Sequence, residues 1–161
     1  LSYTGSYAGA LGIPQFLPSS IRNWGVDFDG DGQVDLAAST LDAIGSVANF
    51  LASHGWETGS PIAAPASVTG DRFVELINAG ILPRFLPEEM TAYGVSPAAD
   101  APQLPCALID LGTPSGTTEY WLGYRNFYVI TRYNRSSFYA MAVYTLSREL
   151  RTEREARLAK R

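Results

Sequence analysis

The segment DFDGDGQVD, from Asp27 to Asp35, places four carboxylates within nine residues. Its first three carboxylates stand at alternate positions, Gly32 follows the third, and a fourth carboxylate closes the segment. Carboxylates at this density repel one another unless a cation lies between them. The segment therefore predicts a turn that is built around a cation, and the sequence on either side of it has to hold that turn in place.

The spacing of these carboxylates matches the loop of an EF-hand, with Asp27 at position 1 and the required glycine, Gly32, at position 6. Position 12 is Ala38 instead of a bidentate glutamate, so a carboxylate in the first turn of the next helix is the predicted substitute. The predicted ligands of a structural Ca²⁺ are Asp27, Asp29, Asp31, Gln33 and Asp42. Sodium or magnesium in place of calcium, a solvated acidic turn, and ligation by Asp35 are alternatives that the sequence leaves open.

A single calcium loop does not define a function. The flanking segments lack the long pair of amphipathic helices that a calcium sensor needs, and the sequence contains one such loop. The pattern therefore favours a structural metal site that joins two core segments. A calcium-regulated interaction protein is the weakest functional hypothesis.

Helices are predicted on both sides of the acidic loop. Upstream, a short helix is expected over residues 7–16, and Pro18 is suited to the first turn of a second one. Downstream, Ser39 or Thr40 can cap a helix whose apolar residues recur at helical spacing and which ends at Gly55. The first half of the chain is therefore predicted to be helical around its metal loop.

The second half changes from helical to extended patterns. PIAAPASV (61–68) is predicted to be extended, and DRFVELINAG and LPEEM to contain short helices. Three segments rich in β-branched and aromatic residues then predict an antiparallel meander, and Ser136 or Ser137 after them is predicted to cap a last helix. Those predicted strands are CALIDL (106–111), TEYWLGY (118–124) and NFYVITRY (126–133). The order of elements predicts an α+β fold, a helical core that a small sheet interrupts.

The composition excludes several classes of protein. A net charge of −4 argues against nucleic acid as the main partner. No apolar run approaches the roughly 18 residues of a membrane span. Cys106 is the only cysteine, so an internal disulfide is impossible, and its apolar neighbours predict a buried thiol.

Four segments of the chain share a distinctive pattern. They are GSYAGALGIPQFLPSS (5–20), DFDGDGQVD (27–35), DAIGSVANFLASHGW (42–56) and RYNRSSFYAMAVYTL (132–146). In this order and spacing they resemble the lytic murein transglycosylase B family. The resemblance implies a lysozyme-like, mainly helical core with an inserted small antiparallel β lobe. It divides the chain into core helices with the calcium loop (1–58), the β-rich lobe (59–132) and a C-terminal helix that returns to the core (133–161).

The resemblance also implies a reaction. Family members cleave peptidoglycan between N-acetylmuramic acid and N-acetylglucosamine without water. One glutamate protonates the glycosidic oxygen and then acts as base while the muramoyl C6 hydroxyl attacks C1, which leaves a 1,6-anhydro end. In the family this glutamate lies upstream of the first segment, so the catalytic residue is expected outside this chain and the isolated chain is expected to be inactive. The alternative is a non-catalytic peptidoglycan-binding module.

Individual positions of the four segments imply a substrate-binding set. Amides and hydroxyls are expected to bind sugar hydroxyls, and rings to stack on the CH faces of sugars. Leu17 stands where the family commonly has methionine, and Phe50 where a tyrosine often follows the asparagine of SVAN, so a hydroxyl contact is lost there. The matched residues are Ser6, Gln15, Leu17, Phe50, Tyr133, Asn134 and Tyr139.

Partners and location follow from the same resemblance. The expected partners are peptidoglycan glycan strands and the N-terminal part of the same protein, and no nucleic acid is expected. The expected location is the periplasm or cell envelope of a bacterium, with lipid anchoring of the full-length protein as an open alternative.

Overall fold

The computed structural model describes residues 6–114 and 116–160 of the chain. Gly5, where the first of the four segments begins, and Ser115, in the turn between two predicted strands, lie outside the described residues. The chain divides into two compact units, Leu1–His54 and Gly55–Arg161. The division into residues 1–58, 59–132 and 133–161 stays a prediction.

The first unit contains two helices, α1 (Pro18–Trp24) and α2 (Thr40–Ser53). Pro18 occupies the first turn of α1, where its missing N–H has no intrahelical partner to lose. Ser39 caps α2, because its Oγ accepts a hydrogen bond of 3.2 Å from the Asp42 N–H. Both helices confirm the prediction.

The predicted helix over residues 7–16 is wrong. This segment is a series of turns that an antiparallel bridge between Leu11 and Phe16 closes. Gly9 and Gly12 have φ angles of +77° and +71°, in the left-handed region that a right-handed helix does not use. Gly9 and Gly12 therefore direct the chain through tight turns instead.

Aromatic rings pack together in the first unit. Phe50 on α2 lies against the imidazole of His54, with ring centroids 4.0 Å apart, and meets the edge of Trp24 at 4.8 Å. The Phe16 ring lies 5.9 Å from Phe50, so the bridged turn segment is anchored to α2 through these rings. His54 ends the helix, where its Nδ1 lies 2.7 Å from the carbonyl oxygen of Phe50.

The second unit contains a four-stranded antiparallel sheet with the order β2-β1-β4-β3. Its strands are β1 (Ala63–Val68), β2 (Val95–Pro97), β3 (Ala107–Gly112) and β4 (Thr118–Gly123). Between β1 and β2 lie the short helices α3 (Phe73–Asn78) and α4 (Pro87–Met90) and a 3₁₀ turn at Thr91–Tyr93. The prediction of an extended segment at 61–68, two short helices and strands within CALIDL and TEYWLGY is confirmed.

NFYVITRY, the third predicted strand, is helix α5 (Arg125–Tyr133). Its β-branched and aromatic residues favour a strand when taken alone, but Phe127 and Ile130 stand three residues apart and are both buried. Asn126 also holds the helix in place, since its amide donates to the carbonyl oxygens of Glu57 and Ser60 at 2.8 and 3.1 Å. Tertiary packing therefore overrides the local β propensity.

The last helix is α6 (Ser137–Leu158), and Ser136 caps it as predicted by accepting the Tyr139 N–H at 3.2 Å. The sheet has a core on each face. Leu108 belongs to one buried cluster, whereas its neighbours Ile109 and Leu111 belong to the other, together with residues of α5 and α6. Helices with one small antiparallel sheet confirm the α+β class.

Two further sequence predictions concern single features. Cys106 is fully buried, as predicted, and its Sγ donates to the carbonyl oxygen of Phe85 at 3.3 Å. Burial, followed by the nearby Glu89 carboxylate, raises the pKa of the Cys106 thiol to about 12. Over residues 6–114 and 116–160, none of the helices combines the length and the apolar character that crossing a membrane requires.

Candidate functional site

Three carboxylates converge at the acidic loop. Asp27, Asp29 and Asp42 each place one carboxylate oxygen within 4.8 Å of the others. Asp27 is half-buried, Asp29 is exposed and Asp42 is buried at 1% exposure, so the group reaches from the surface to the top of α2. Hard carboxylate oxygens at this spacing are the donor set that Ca²⁺ prefers.

Backbone N–H groups organise the loop around its first aspartate. Asp27 Oδ1 accepts from the Gly30 N–H at 2.7 Å, and Oδ2 accepts from the Gly32 N–H at 2.8 Å. Gly30 and Gly32 have φ angles of +78° and +91°, which residues with a side chain rarely adopt. The glycine predicted at position 6 is therefore at the sharp turn that an EF-hand loop requires.

Asp42 fixes both ends of the loop from the first turn of α2. Its Oδ1 accepts from the Phe28 N–H at 2.8 Å, and its Oδ2 accepts from the Asp35 N–H at 2.8 Å. The hydrogen bond from Asp35 is the main reason why the pKa of Asp42 lies below its ordinary value, although burial opposes the shift. Asp42 is thus held as a carboxylate, the form that a metal ligand needs.

The other predicted ligands lie on the exposed side of the loop. Asp31 is not one of the three converging carboxylates, and its Oδ1 accepts the Gln33 N–H at 2.8 Å. Asp35 Oδ1 accepts from Ala37 and Ala38 at 2.9 Å each, as in a turn that leads into a helix. Ligation by Asp31 and by the Gln33 carbonyl stays a prediction.

Two contacts of this loop were not expected from the sequence. Ser39, predicted only as a helix cap, also donates through Oγ to Asp29 Oδ2 at 2.7 Å. Ser46, fully buried on α2, accepts the Val26 N–H at 2.9 Å just before the loop begins. A serine at a helix start signals a cap in the sequence, but its second partner depends on how the loop folds back.

A short path of contacts joins the acidic loop to the segment that carries Gln15. Leu36 follows the loop directly, and its carbonyl oxygen accepts the Ile13 N–H at 2.7 Å. Gly12 packs against the same residue so closely that a Cβ added to it would lie 2.4 Å from the Leu36 oxygen. The position of the 11–16 turn therefore depends on where the acidic loop ends.

Gln15 has an unusual backbone in this turn. Its φ angle is +52°, and among residues 6–114 and 116–160 it is the only non-glycine residue with a positive φ. Its side chain is exposed, and its Nε2 donates to the Gly12 carbonyl oxygen at 2.9 Å. A non-glycine residue in the left-handed region costs free energy and is often found where a side chain must point at a ligand.

Ser6 and Leu17 lie at the two ends of the same turn segment, and both are exposed. The Ser6 Oγ accepts the Ala10 N–H at 3.1 Å, and Leu17 is the residue that precedes α1. Ser6, Gln15 and Leu17 thus lie on the segment of the first unit that precedes α1. Phe50 lies beneath this segment at 6% exposure, so most of its ring is engaged by protein.

Tyr133, Asn134 and Tyr139 lie together in the second unit, at the junction of α5 and α6. Tyr133 is the last residue of α5, Asn134 is exposed after it, and Tyr139 is in the first turn of α6. The rings of Tyr133 and Tyr139 are parallel within 2°, with centroids 6.3 Å apart. Burial, and then the neighbouring Tyr139, raise the pKa of Tyr133 to about 12, so its hydroxyl remains a hydrogen-bond donor at neutral pH.

A model of the family described as "Transglycosylase SLT domain" matches residues 1–148. The chain is 40% identical over 149 residues to the membrane-bound lytic murein transglycosylase B of Escherichia coli (strain K12), covering 91% of this chain and 39% of that protein. The crystal structure of soluble lytic transglycosylase SltB1 from Pseudomonas aeruginosa has a TM-score of 0.84 at 44% identity, over 96% of this chain and 51% of that one. A structure of Escherichia coli lytic transglycosylase SLT35 in complex with calcium has a TM-score of 0.76 at 37% identity, over 94% of this chain and 47% of that one.

This chain spans 39% of the length of the curated relative and about half of each of the two solved structures. Over that span the likeness is high enough to confirm the predicted lysozyme-like α+β fold with its small β lobe. It also confirms the family resemblance that the four segments carry.

Proposed function

The chain belongs to the transglycosylase SLT domain family, and from that premise we propose that it forms part of a peptidoglycan lytic transglycosylase. The observation that carries the proposal is the family match over residues 1–148, together with 40% identity to a lytic murein transglycosylase. The reaction is cleavage of the bond between N-acetylmuramic acid and N-acetylglucosamine. The muramoyl C6 hydroxyl attacks C1, which leaves a 1,6-anhydro end.

The mechanism needs one carboxyl group that first donates and then accepts a proton. Such a group works in apolar, partly buried surroundings that keep it protonated until the substrate arrives. All eight glutamates of the sequence are exposed, which does not suit them to that task. We propose that the catalytic glutamate lies outside these 161 residues, so that this chain binds and orients the sugars.

The turn segment of the first unit supplies part of the sugar site. We assign Ser6 and Gln15 to hydrogen bonds with sugar hydroxyls, because both side chains are exposed and polar. Leu17, 43% exposed, offers an apolar surface beside them. Phe50, with little surface left for a sugar, would support this segment through its contact with the Phe16 ring.

The second unit supplies the other part. Asn134 is exposed and has both donor and acceptor groups for sugar hydroxyls and acetamides. The parallel, half-buried rings of Tyr133 and Tyr139 offer faces and edges against which the CH groups of a sugar ring can pack. We assign these three residues to the glycan strand as well.

We propose that the acidic loop holds a structural Ca²⁺. Asp27, Asp29 and Asp42 fit the ion because they converge within 4.8 Å, and Asp31 and the Gln33 carbonyl are assigned to complete the set. The structure of a relative in complex with calcium supports this assignment. The ion would neutralise the repulsion within the loop, and the chain would then hold Leu36 and the Gln15 turn in place.

A murein transglycosylase acts where peptidoglycan is found, so we propose the periplasm or cell envelope as the location of this chain. Its partners would be glycan strands and the N-terminal part of the same protein. The name of the curated relative, a membrane-bound enzyme, makes a lipid anchor on the full-length protein part of the same proposal.

Digestion of purified murein by the full-length protein tests the proposal. We expect mass spectrometry to detect fragments with 1,6-anhydromuramoyl ends, because the nucleophile belongs to the substrate. New reducing ends alone would refute the proposed reaction and indicate hydrolysis. Retention of glycan strands with no new ends would instead identify a non-catalytic peptidoglycan-binding module.

A further inference from the structure

A groove in the second unit is not used by the assignments made so far. It has a volume of about 400 Å³, within the usual range of ligand sites. One wall is the segment that leads into β1, including Trp56 and Ser60, and the other wall is the middle of α6. The Tyr144 hydroxyl donates to the Ala63 carbonyl oxygen at 3.2 Å and fixes one wall against the other.

The spacing of residues on α6 builds this wall. Tyr144, Arg148 and Arg151 stand at positions i, i+4 and i+7, so they project from one face of the helix. The Arg148 guanidinium lies 5.7 Å from the centroid of the Tyr144 ring, which restricts where that side chain can lie. The groove therefore presents two guanidinium groups beside aromatic surface and the hydroxyls of Ser60 and Ser147.

None of the described carboxylates lies within salt-bridge distance of Arg148 or Arg151. Across residues 6–114 and 116–160, the salt bridges are Arg72–Glu75 and Arg157–Glu153, and neither involves a groove residue. None of the described carboxylates lines the groove. Glu57 follows Trp56 in the sequence but lines a neighbouring cavity. Its carboxylate accepts a hydrogen bond from the Ser60 hydroxyl at 3.1 Å. Two arginines without an anionic partner, in a concave site, indicate an anionic ligand.

We propose that this groove binds the acidic peptide that peptidoglycan carries on its glycan strand. This inference rests on the proposed function, which supplies a substrate with that peptide. Each guanidinium can take one carboxylate through two parallel hydrogen bonds, and the Trp56 and Tyr144 rings offer contact area for the apolar parts of the peptide. Helix α6 forms one wall of the groove and also carries Tyr139. The peptide of a glycan strand that is bound at the α5–α6 junction can therefore extend along α6 to the groove.

Four soluble probes test the groove with the full chain. They are the N-acetylglucosaminyl-muramoyl disaccharide without peptide, the same disaccharide with its peptide, the peptide alone, and that peptide with its carboxylates blocked as amides. We expect titration calorimetry to show about tenfold tighter binding of the disaccharide when it carries the peptide, since two exposed arginine–carboxylate pairs together contribute about that much. The amidated peptide should not bind.

Arginine variants locate the effect. Arg148→Gln combined with Arg151→Gln should remove the tenfold preference and leave binding of the bare disaccharide unchanged. Arg154→Gln with Arg157→Gln, on the same helix and outside the groove lining, removes the same charge and should keep the preference. All four side chains are exposed, so the melting temperature of each variant checks that the fold is intact.

Three results would overturn the inference: an unchanged preference in the groove variant, equal binding of the amidated peptide, or equal binding of a polyglutamate peptide. The last result would assign the groove to acidic segments of a protein partner. The bare disaccharide separates the two proposals. If it fails to bind while the peptide alone binds through the two arginines, the sugar site fails and the peptide groove stands.

Discussion

At the scale of the residue, the backbone of Gln15 is the most informative feature. A φ of +52° costs about 1–2 kcal/mol for a residue with a Cβ, and glycine would avoid that cost. The Gln15 Nε2 donates to the Gly12 carbonyl oxygen within this turn, but the amide keeps its oxygen and a second N–H for a ligand. The amide itself is the reason that fits best, because Gln15 occupies the position that the sequence analysis matched to the sugar site.

Replacing Gln15 by glycine and by alanine separates stability from binding. We expect Gln15→Gly to have a free energy of unfolding about 0.5–1 kcal/mol above that of Gln15→Ala, because both lose the hydrogen bond to Gly12 and only glycine relieves the left-handed backbone. Both variants should bind the disaccharide about tenfold more weakly, since both lose the amide. Denaturant unfolding and titration calorimetry measure the two effects, and undiminished binding by either variant would remove Gln15 from the site.

Single residues were predicted well where their chemistry is local. The capping of α2 by Ser39 and of α6 by Ser136, the turn at Gly32 and the burial of Cys106 all follow from neighbours in the sequence. The close approach of Gly12 to Leu36 could not be predicted, because it joins segments separated by the whole acidic loop. The hydrogen bond from the Ser39 hydroxyl to Asp29 could not be predicted for the same reason.

At the scale of the element, both errors have the same physical cause. Small residues favour a helix over 7–16, and β-branched and aromatic residues favour a strand in NFYVITRY, but neither element forms. In each case the outcome depends on contacts with distant residues, such as the bond from Ile13 to Leu36 and the burial of α5. Propensity decides only where tertiary contacts do not oppose it. Tyr144, Arg148 and Arg151 stand at helical spacing in the sequence, but only the folded chain shows that this face of α6 lines a groove.

Asn126 tests what holds α5 in place. It is fully buried, donates to Glu57 and Ser60 carbonyl oxygens, and accepts the Glu57 N–H at 2.9 Å. Asn126→Ala leaves these backbone groups without their partner, so we expect a loss of about 3 kcal/mol in the free energy of unfolding. Asn49→Ala is the matched control, because the Asn49 amide makes one hydrogen bond, to the Trp24 carbonyl oxygen at 3.2 Å. Urea unfolding that finds equal losses for the two variants would contradict this account of α5.

At the scale of the whole molecule, the acidic loop and the turn that carries Gln15 form one connected system in the first unit. The Asp42 carboxylate accepts the Asp35 N–H, and the carbonyl oxygen of the next residue, Leu36, accepts the Ile13 N–H. Ile13 belongs to the 11–16 turn that carries Gln15. The sequence predicted the loop and the sugar residues as separate motifs. It could not predict their connection, because the hydrogen bond between Ile13 and Leu36 spans residues that are far apart in the chain. The proposed Ca²⁺ would therefore act on sugar binding through the backbone.

Binding of the disaccharide to this chain, measured by titration calorimetry with Ca²⁺ and again with a calcium chelator, tests that connection most directly. We expect the affinity to fall by about tenfold and the melting temperature to fall by several degrees when calcium is removed, because the ion stabilises the folded loop that positions Gln15. Mg²⁺ at the same concentration should restore neither, since the smaller ion does not suit a loop of this kind. The same affinity and the same melting temperature in calcium and in chelator would contradict the account.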